Sequence, residues 1–360
     1  MRLDVTVEAV IYIIYKYCGF VVYLGKNFGG ERIFMYYPHR IEDICYEAEH
    51  IENVWAEMLQ AIPVYFSRYI ETAGGKSVIG NSEIEKLVKE FGSTDKPKSK
   101  PKDTRKTLIL LLEEAISDFE KDRKDYQDIL AIDSLEEYKC GVGAFKNTVL
   151  KNQIPIIRKT LQNKQAKELD KFRRDFSHAE AGKLFRVTSN IVNLAVEKKV
   201  DWYDEQDFEE ISSCEDLGYW QFDDEEKYIV HGVIGGGIKS HFIYKMFPEM
   251  YPYRSREALW ALYYLTNKKP LGCKEDSQFL MIDMKKNITQ QNYFYPYGLF
   301  AFYALRIFNK LKDFYAKENI CLPTEYRFVV VDNFLSFTSR MHQPEIDLLK
   351  QGSQEDQYDY

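Results

Sequence analysis

Phe279-Leu-Met-Ile-Asp283 and Phe328-Val-Val-Val-Asp332 share one shape, four consecutive apolar residues closed by an aspartate. A strand buried on both faces reads this way where it reaches the edge of its sheet. Between the two runs, residues 297–317 carry Leu299, Phe300, Tyr303, Ile307, Phe308 and Leu311 on a broad helical stripe. The order predicts strand, helix, strand. If the strands are parallel, the crossover is right-handed and both carboxylates emerge at one end of the sheet, where open α/β sheets place their ligands.

Upstream of this unit, residues 227–233 read as a short strand, Gly235-Gly-Gly237 as a turn and residues 240–250 as a helix. Ser255 is placed to cap a further helix over 256–266, whose Ala258, Leu259, Leu262 and Leu265 form its buried face. The fold expected is α+β overall, with a C-terminal α/β domain over 227–345 and a loose tail over 346–360. The middle, 107–226, is mostly helical, rich in Lys, Glu and Arg, and ends in an aromatic, acidic stretch without a clear period. Helices of this kind pack as antiparallel pairs and can present an oligomer face.

A Lys/Pro-rich segment within 93–106 carries the clearest boundary and reads as a linker or long loop. Before it, 1–92 forms a small α+β unit. Residues 7–17 suit a helix, with a strand as the alternative, and 20–24 and 33–37 suit a hairpin. Residues 41–70 are helical in pattern, with Pro63 marking a kink or break, and 83–91 form a short amphipathic helix.

The 360 residues are 45% hydrophobic, enough to bury a full core, and include 27 Tyr and 23 Phe, more rings than a core alone accommodates. A net charge of -7 argues against coating nucleic acid by bulk electrostatics, although a local basic groove stays open. Cys18, Cys45, Cys140, Cys214, Cys273 and Cys321 stand singly, without a CxxC pair or short Cys/His spacing. That spacing argues against a structural zinc site and for a reducing, cytoplasmic setting. The longest apolar run, 9–24, is too polar to span a membrane, and a soluble protein is expected.

Three constellations carry chemistry. In the first, Asp283-Met-Lys285 puts an acid and a lysine on the same face of one strand, and a divalent cation bridging a phosphate needs converging carboxylates with such a lysine beside it. This stretch resembles the second half of the PD-(D/E)xK motif of restriction-endonuclease-like nucleases, over residues 255–335. The resemblance implies a metal-dependent phosphodiesterase acting on nucleic acid, with bacterial defence as a natural setting. In that reading Asp283 and Asp276, or Asp332, hold Mg²⁺, Lys285 stabilises the scissile phosphate and Glu257 is an outer acid. Asp276 departs from the family, since it lies too few residues before Asp283 for a regular hairpin.

The second is the glycine segment Gly235, Gly236 and Gly237 with Lys239. Its backbone amides and the following helix N-terminus make a phosphate cradle, one residue longer than the Walker A pattern. The third, Arg173-Arg-Asp-Phe-Ser-His178, resembles HEPN ribonucleases in its R-x4-H spacing. That likeness implies a metal-independent cleavage in which Arg173 and His178 from two protomers act on a 2'-hydroxyl. The alternative to any enzyme is a binding or assembly subunit whose rings and charged helices meet a protein partner or nucleic acid.

Overall fold

Phe328 to Asp332 is helical. In the computed structural model the described residues are 41–72, 103–166, 169–274, 276–283 and 288–350. The helix and hairpin expected within 1–40, the helix over 83–91, the linker as far as 102, Lys285 and the tail beyond 350 lie outside them, whereas 104–106 of the expected linker and 346–350 of the expected loose tail are helical. The larger helices are α1 (Ala48–Glu71), α2 (Thr104–Glu120), α3 (Arg123–Leu130), α4 (Pro155–Gln162), α5 (Asp170–His178), α6 (Ala181–Asp201), α7 (Gly236–Met246), α8 (Arg256–Leu265), α9 (Tyr297–Lys317), α10 (Arg327–Met341) and α11 (Gln343–Lys350). Two short strands, β1 (Leu280–Asp283) and β2 (Ile288–Gln291), complete them. The described chain is therefore mostly helical, with one small sheet.

The expected βαβ unit is not what the chain makes. β1 and α9 stand where the sequence placed them, but β1 pairs antiparallel with β2 in a hairpin, Leu280 opposite Gln291 and Asp283 opposite Ile288. The run that was to be the second strand opens α10. The reason is burial: α10 packs on α8, α9, α1 and α2 at once, so that Phe328, Val329, Val330 and Val331 are all buried. A helix covered on every side has no polar face, and its apolar run loses the period that distinguishes it from a strand. The strand expected over 227–233 is likewise replaced, by a helical turn (Glu225–Tyr228) and a single bridge between Val230 and Ile234.

Local signals elsewhere act as written in the sequence. The Ser255 side chain accepts from the Ala258 amide and starts α8, whose residues Ala258 to Leu265 are all buried. α1 runs through Pro63, which faces solvent and lacks only its own amide donor. Its apolar positions Val54, Met58, Ile62 and Phe66 recur every fourth residue. Phe66 stacks on Phe314 of α9 at 4.7 Å, and Tyr69 donates to Asn333 of α10 at 2.6 Å.

The start of α10 holds the most buried charge in the described chain. Arg327 is 0% exposed and donates to Glu209 Oε1 at 3.1 Å, to the Tyr203 hydroxyl at 3.3 Å and to the Glu249 carbonyl. Its guanidinium also lies over the rings of Phe208 at 4.9 Å and Phe308 at 5.3 Å. Glu209 takes a second cation, Lys312, at 2.5 Å. Burial opposes its ionisation, but the two cations together hold its carboxyl below the usual range.

Candidate functional site

The glycine segment that reads as a phosphate cradle does open onto a cleft. Gly235 is the N-cap of α7 and Gly236 its first residue, and glycine has no side chain of its own with which to cap the helix start. The first amides of a helix lack intrahelical partners and carry partial positive charge, so an uncapped start facing a cavity favours an anion. The cavity measures about 200 Å³, and Gly236, Lys239, Arg254 and Asp223 meet in it. The remaining wall is mostly aromatic, supplied by Tyr46, by Ile229 and by the Tyr293-Phe-Tyr-Pro-Tyr297 stretch between β2 and α9.

Arg254 is the centre of this arrangement. It is only 4% exposed, and its side chain reaches the carbonyls of Asn292 (3.3 Å) and Tyr293, while its Nε has no partner. Its backbone amide donates to Ser240 Oγ, which itself donates to the carbonyls of Gly236 and Gly237. The Arg254 backbone is thus tied to the first turn of α7, and its guanidinium is held by the two carbonyls. Burial lowers its pKa to about 10, opposed by the Asp223 charge, so it stays a cation at neutral pH.

Gly236 has to be glycine because of this contact. A Cβ there would lie 2.0 Å from Arg254 Nη1. Gly236→Ala is expected to cost about 1–3 kcal/mol, the range for forcing atoms into a packed site, read as a lower urea midpoint at unchanged slope.

Lys239 is 2% exposed, donates to the Phe222 carbonyl and stands 3.9 Å from Asp223. Asp223 in turn accepts from the Tyr297 amide at 3.0 Å, capping the start of α9. Burial raises its pKa, offset by Lys239, the Tyr297 amide and Arg254, although 37% of its side chain still faces the cleft. Two cations against one carboxylate, plus the open helix start, leave the cleft with an excess of positive charge. Its walls are held by hydrogen bonds, Tyr297 Oη to the Pro252 carbonyl and Gln278 Nε2 to Tyr295 Oη, both 3.0 Å. Tyr46 (47%) and Tyr293 (38%) remain exposed at the rim.

Among the described residues, the other candidates do not line it. Asp283 ends β1, and Lys285 lies outside the described residues. Asp276 is exposed on the loop before β1, and Glu257 is exposed in the first turn of α8. Asp332 sits in the second turn of α10 rather than at a strand end, with Oδ1 buried and unpartnered and the Tyr244 hydroxyl as its hydrogen-bonding neighbour. Glu257 is close enough to Asp332 to help raise its pKa. Arg173 binds the carbonyls of Asn163 (2.6 Å) and Ala166 (2.9 Å) and the Asp170 carboxylate, so its guanidinium tethers its own helix. His178 is exposed at the end of α5.

Asp223, Arg254 and the ring stretch 293–297 were not singled out as a site from sequence. Asp223 and Tyr297 are 74 residues apart, and the one legible signal was the density of tyrosines after β2. Among the described residues the metal-ligating groups that converge are Cys45, His50 and Cys273, a sulfur and imidazole set unlike the oxygen ligands Mg²⁺ takes. No described helix is long and apolar enough to cross a membrane. Compared with protein-family models, curated proteins and solved structures, the chain matches none.

Proposed function

We propose that this protein binds a phosphate-bearing ligand with a planar ring, a nucleotide or the end of a nucleic-acid strand, in the cleft at the start of α7. The phosphoryl oxygens sit between the first amides of α7, Lys239 and Arg254, and the ring stacks on Tyr293 or Tyr46 at the rim. The observation that carries this reading is Arg254, a buried cation with an unsatisfied Nε, which lines a cavity beside a helix start whose N-cap is glycine. A buried donor without a partner costs about 1–3 kcal/mol, so retaining one beside a cavity fits a site completed by a ligand. The volume supports a phosphoryl group with one ring rather than a long polymer. This reading keeps the nucleic-acid chemistry expected from sequence and moves its centre from Asp283 to the cleft.

Calorimetric titration with adenosine monophosphate tests it. Lys239→Met is expected to weaken binding about 10- to 100-fold, the worth of one charge-assisted hydrogen bond of about 1.5–3 kcal/mol. Tyr293→Ala, a change at the exposed rim that leaves the buried charges in place, is expected to weaken it about 5- to 100-fold through lost stacking. Wild-type protein that binds no mononucleotide, or binding that both variants leave unchanged, would overturn the proposal.

A further inference from the structure

Cys45, His50 and Cys273 come from opposite ends of the described chain. Cys45 lies in a 3-10 turn (Asp43–Tyr46), His50 in the first turn of α1, and Cys273 in the loop between α8 and β1. A ring nitrogen of His50 and the two sulfurs all lie within 4.8 Å of one another, and the sulfurs are 3.6 Å apart. All five cysteines among the described residues are free thiols.

From this geometry we infer a zinc site, distinct from the anion cleft, in which the Cys45 and Cys273 thiolates and the His50 imidazole hold one Zn²⁺ ion. With Zn–S bonds of about 2.3 Å, two sulfurs on a tetrahedral ion stand about 3.8 Å apart, close to the separation found. A disulfide would need the sulfurs at about 2.05 Å, so the observed spacing is nearer to shared coordination than to a bond.

The surroundings match what a metal asks of its ligands. His50 Nε2 is 2.5 Å from Gln278 Oε1, and the Gln278 amide nitrogen is already spent on the Tyr295 hydroxyl. With Gln278 presenting its oxygen, a proton on Nε2 would leave Nδ1 the lone pair that a metal takes. An acceptor on the far ring nitrogen is the usual support of a ligating histidine.

Three protein ligands leave a fourth position. Cys45 and His50 are buried while Cys273 is half-buried, so solvent reaches the site from the Cys273 side and a water completes the tetrahedron. The ion would tie the start of α1 to the loop leading into β1. Binding releases protons, since both sulfurs must be thiolates.

The test is Co²⁺ and Zn²⁺ binding to full-length protein purified under reducing conditions. The expected result is one metal per chain by elemental analysis, and a cobalt complex with the thiolate-to-metal charge-transfer absorption of sulfur ligation. Cys45→Ser and Cys273→Ser should each remove that band and the zinc-dependent rise in Tm, while Cys321→Ser, at an exposed cysteine elsewhere, should leave both intact. The wild-type cobalt spectrum decides the matter even if a variant fails to fold. A spectrum without charge transfer, less than stoichiometric metal, or a non-reduced chain lighter by two hydrogens with Cys45 and Cys273 both protected from alkylation under the same reducing conditions would each overturn the assignment.

Discussion

Arg327→Met is expected to destabilise the protein by about 3–5 kcal/mol, the cost of breaking a buried ion pair from one side. The arginine is wholly buried and spends its guanidinium on Glu209, the Tyr203 hydroxyl and the Glu249 carbonyl. Methionine fills much of the volume but leaves Glu209 with Lys312 alone and strips a donor from two other groups. The penalty comes from stranded partners rather than from lost attraction. Glu209→Gln in the Arg327→Met background should therefore recover part of the loss, a coupling that a double-mutant cycle in urea measures. A loss under about 1 kcal/mol would show that the network is hydrated and loose.

The second large effect depends on pH. Asp332 is pushed up to about 7, first by burial, then by the Glu257 charge, with Lys245, the Tyr244 hydroxyl and Arg340 opposing. The unfolded chain releases this proton near pH 4. Between there and about 7 the folded state keeps a proton that the unfolded state has lost, so this residue's contribution to stability falls as pH rises, and above 7 its full cost is present. Asp332→Asn has no such proton. Its stability advantage over wild type is expected to widen by about 2–3 kcal/mol between pH 5 and pH 8, at about 1.4 kcal/mol per pH unit across the window. Urea midpoints at the two pH values check this, and an equal difference at both would mean that Asp332 titrates as an ordinary carboxylate. His241, buried and held at about 3 by burial first, titrates in the opposite sense at lower pH, and it cancels in the comparison with the variant.

What the sequence disclosed followed how local each signal was. α9 runs from Tyr297 to Lys317 as its stripe foretold, and α8 begins at Ser255 because a cap and a helical period lie within a few residues of each other. β1 was legible from its apolar run and its aspartate. The same shape misread α10, because four neighbouring helices erase the polar face from which a helical period is recognised. Gly236 and Gly237 open α7 instead of forming the expected turn, and Gly236 and Lys239 line the cleft, yet their partners Arg254 and Asp223 look like any other charged residues in the chain. Cys45 and Cys273, 228 residues apart, had no short spacing to betray them, because tertiary packing and not sequence proximity brings their sulfurs together.

The nucleotide reading rests on a phosphoryl group meeting Arg254, Lys239 and the open start of α7. Adenosine and adenosine monophosphate differ by that group alone, so their calorimetric affinities measured side by side test it most directly. The monophosphate is expected to bind tighter by at least about tenfold, the equivalent of 1.4 kcal/mol, with the gap closing as salt rises. Equal affinities for the two, or tighter binding of the uncharged nucleoside, would contradict it.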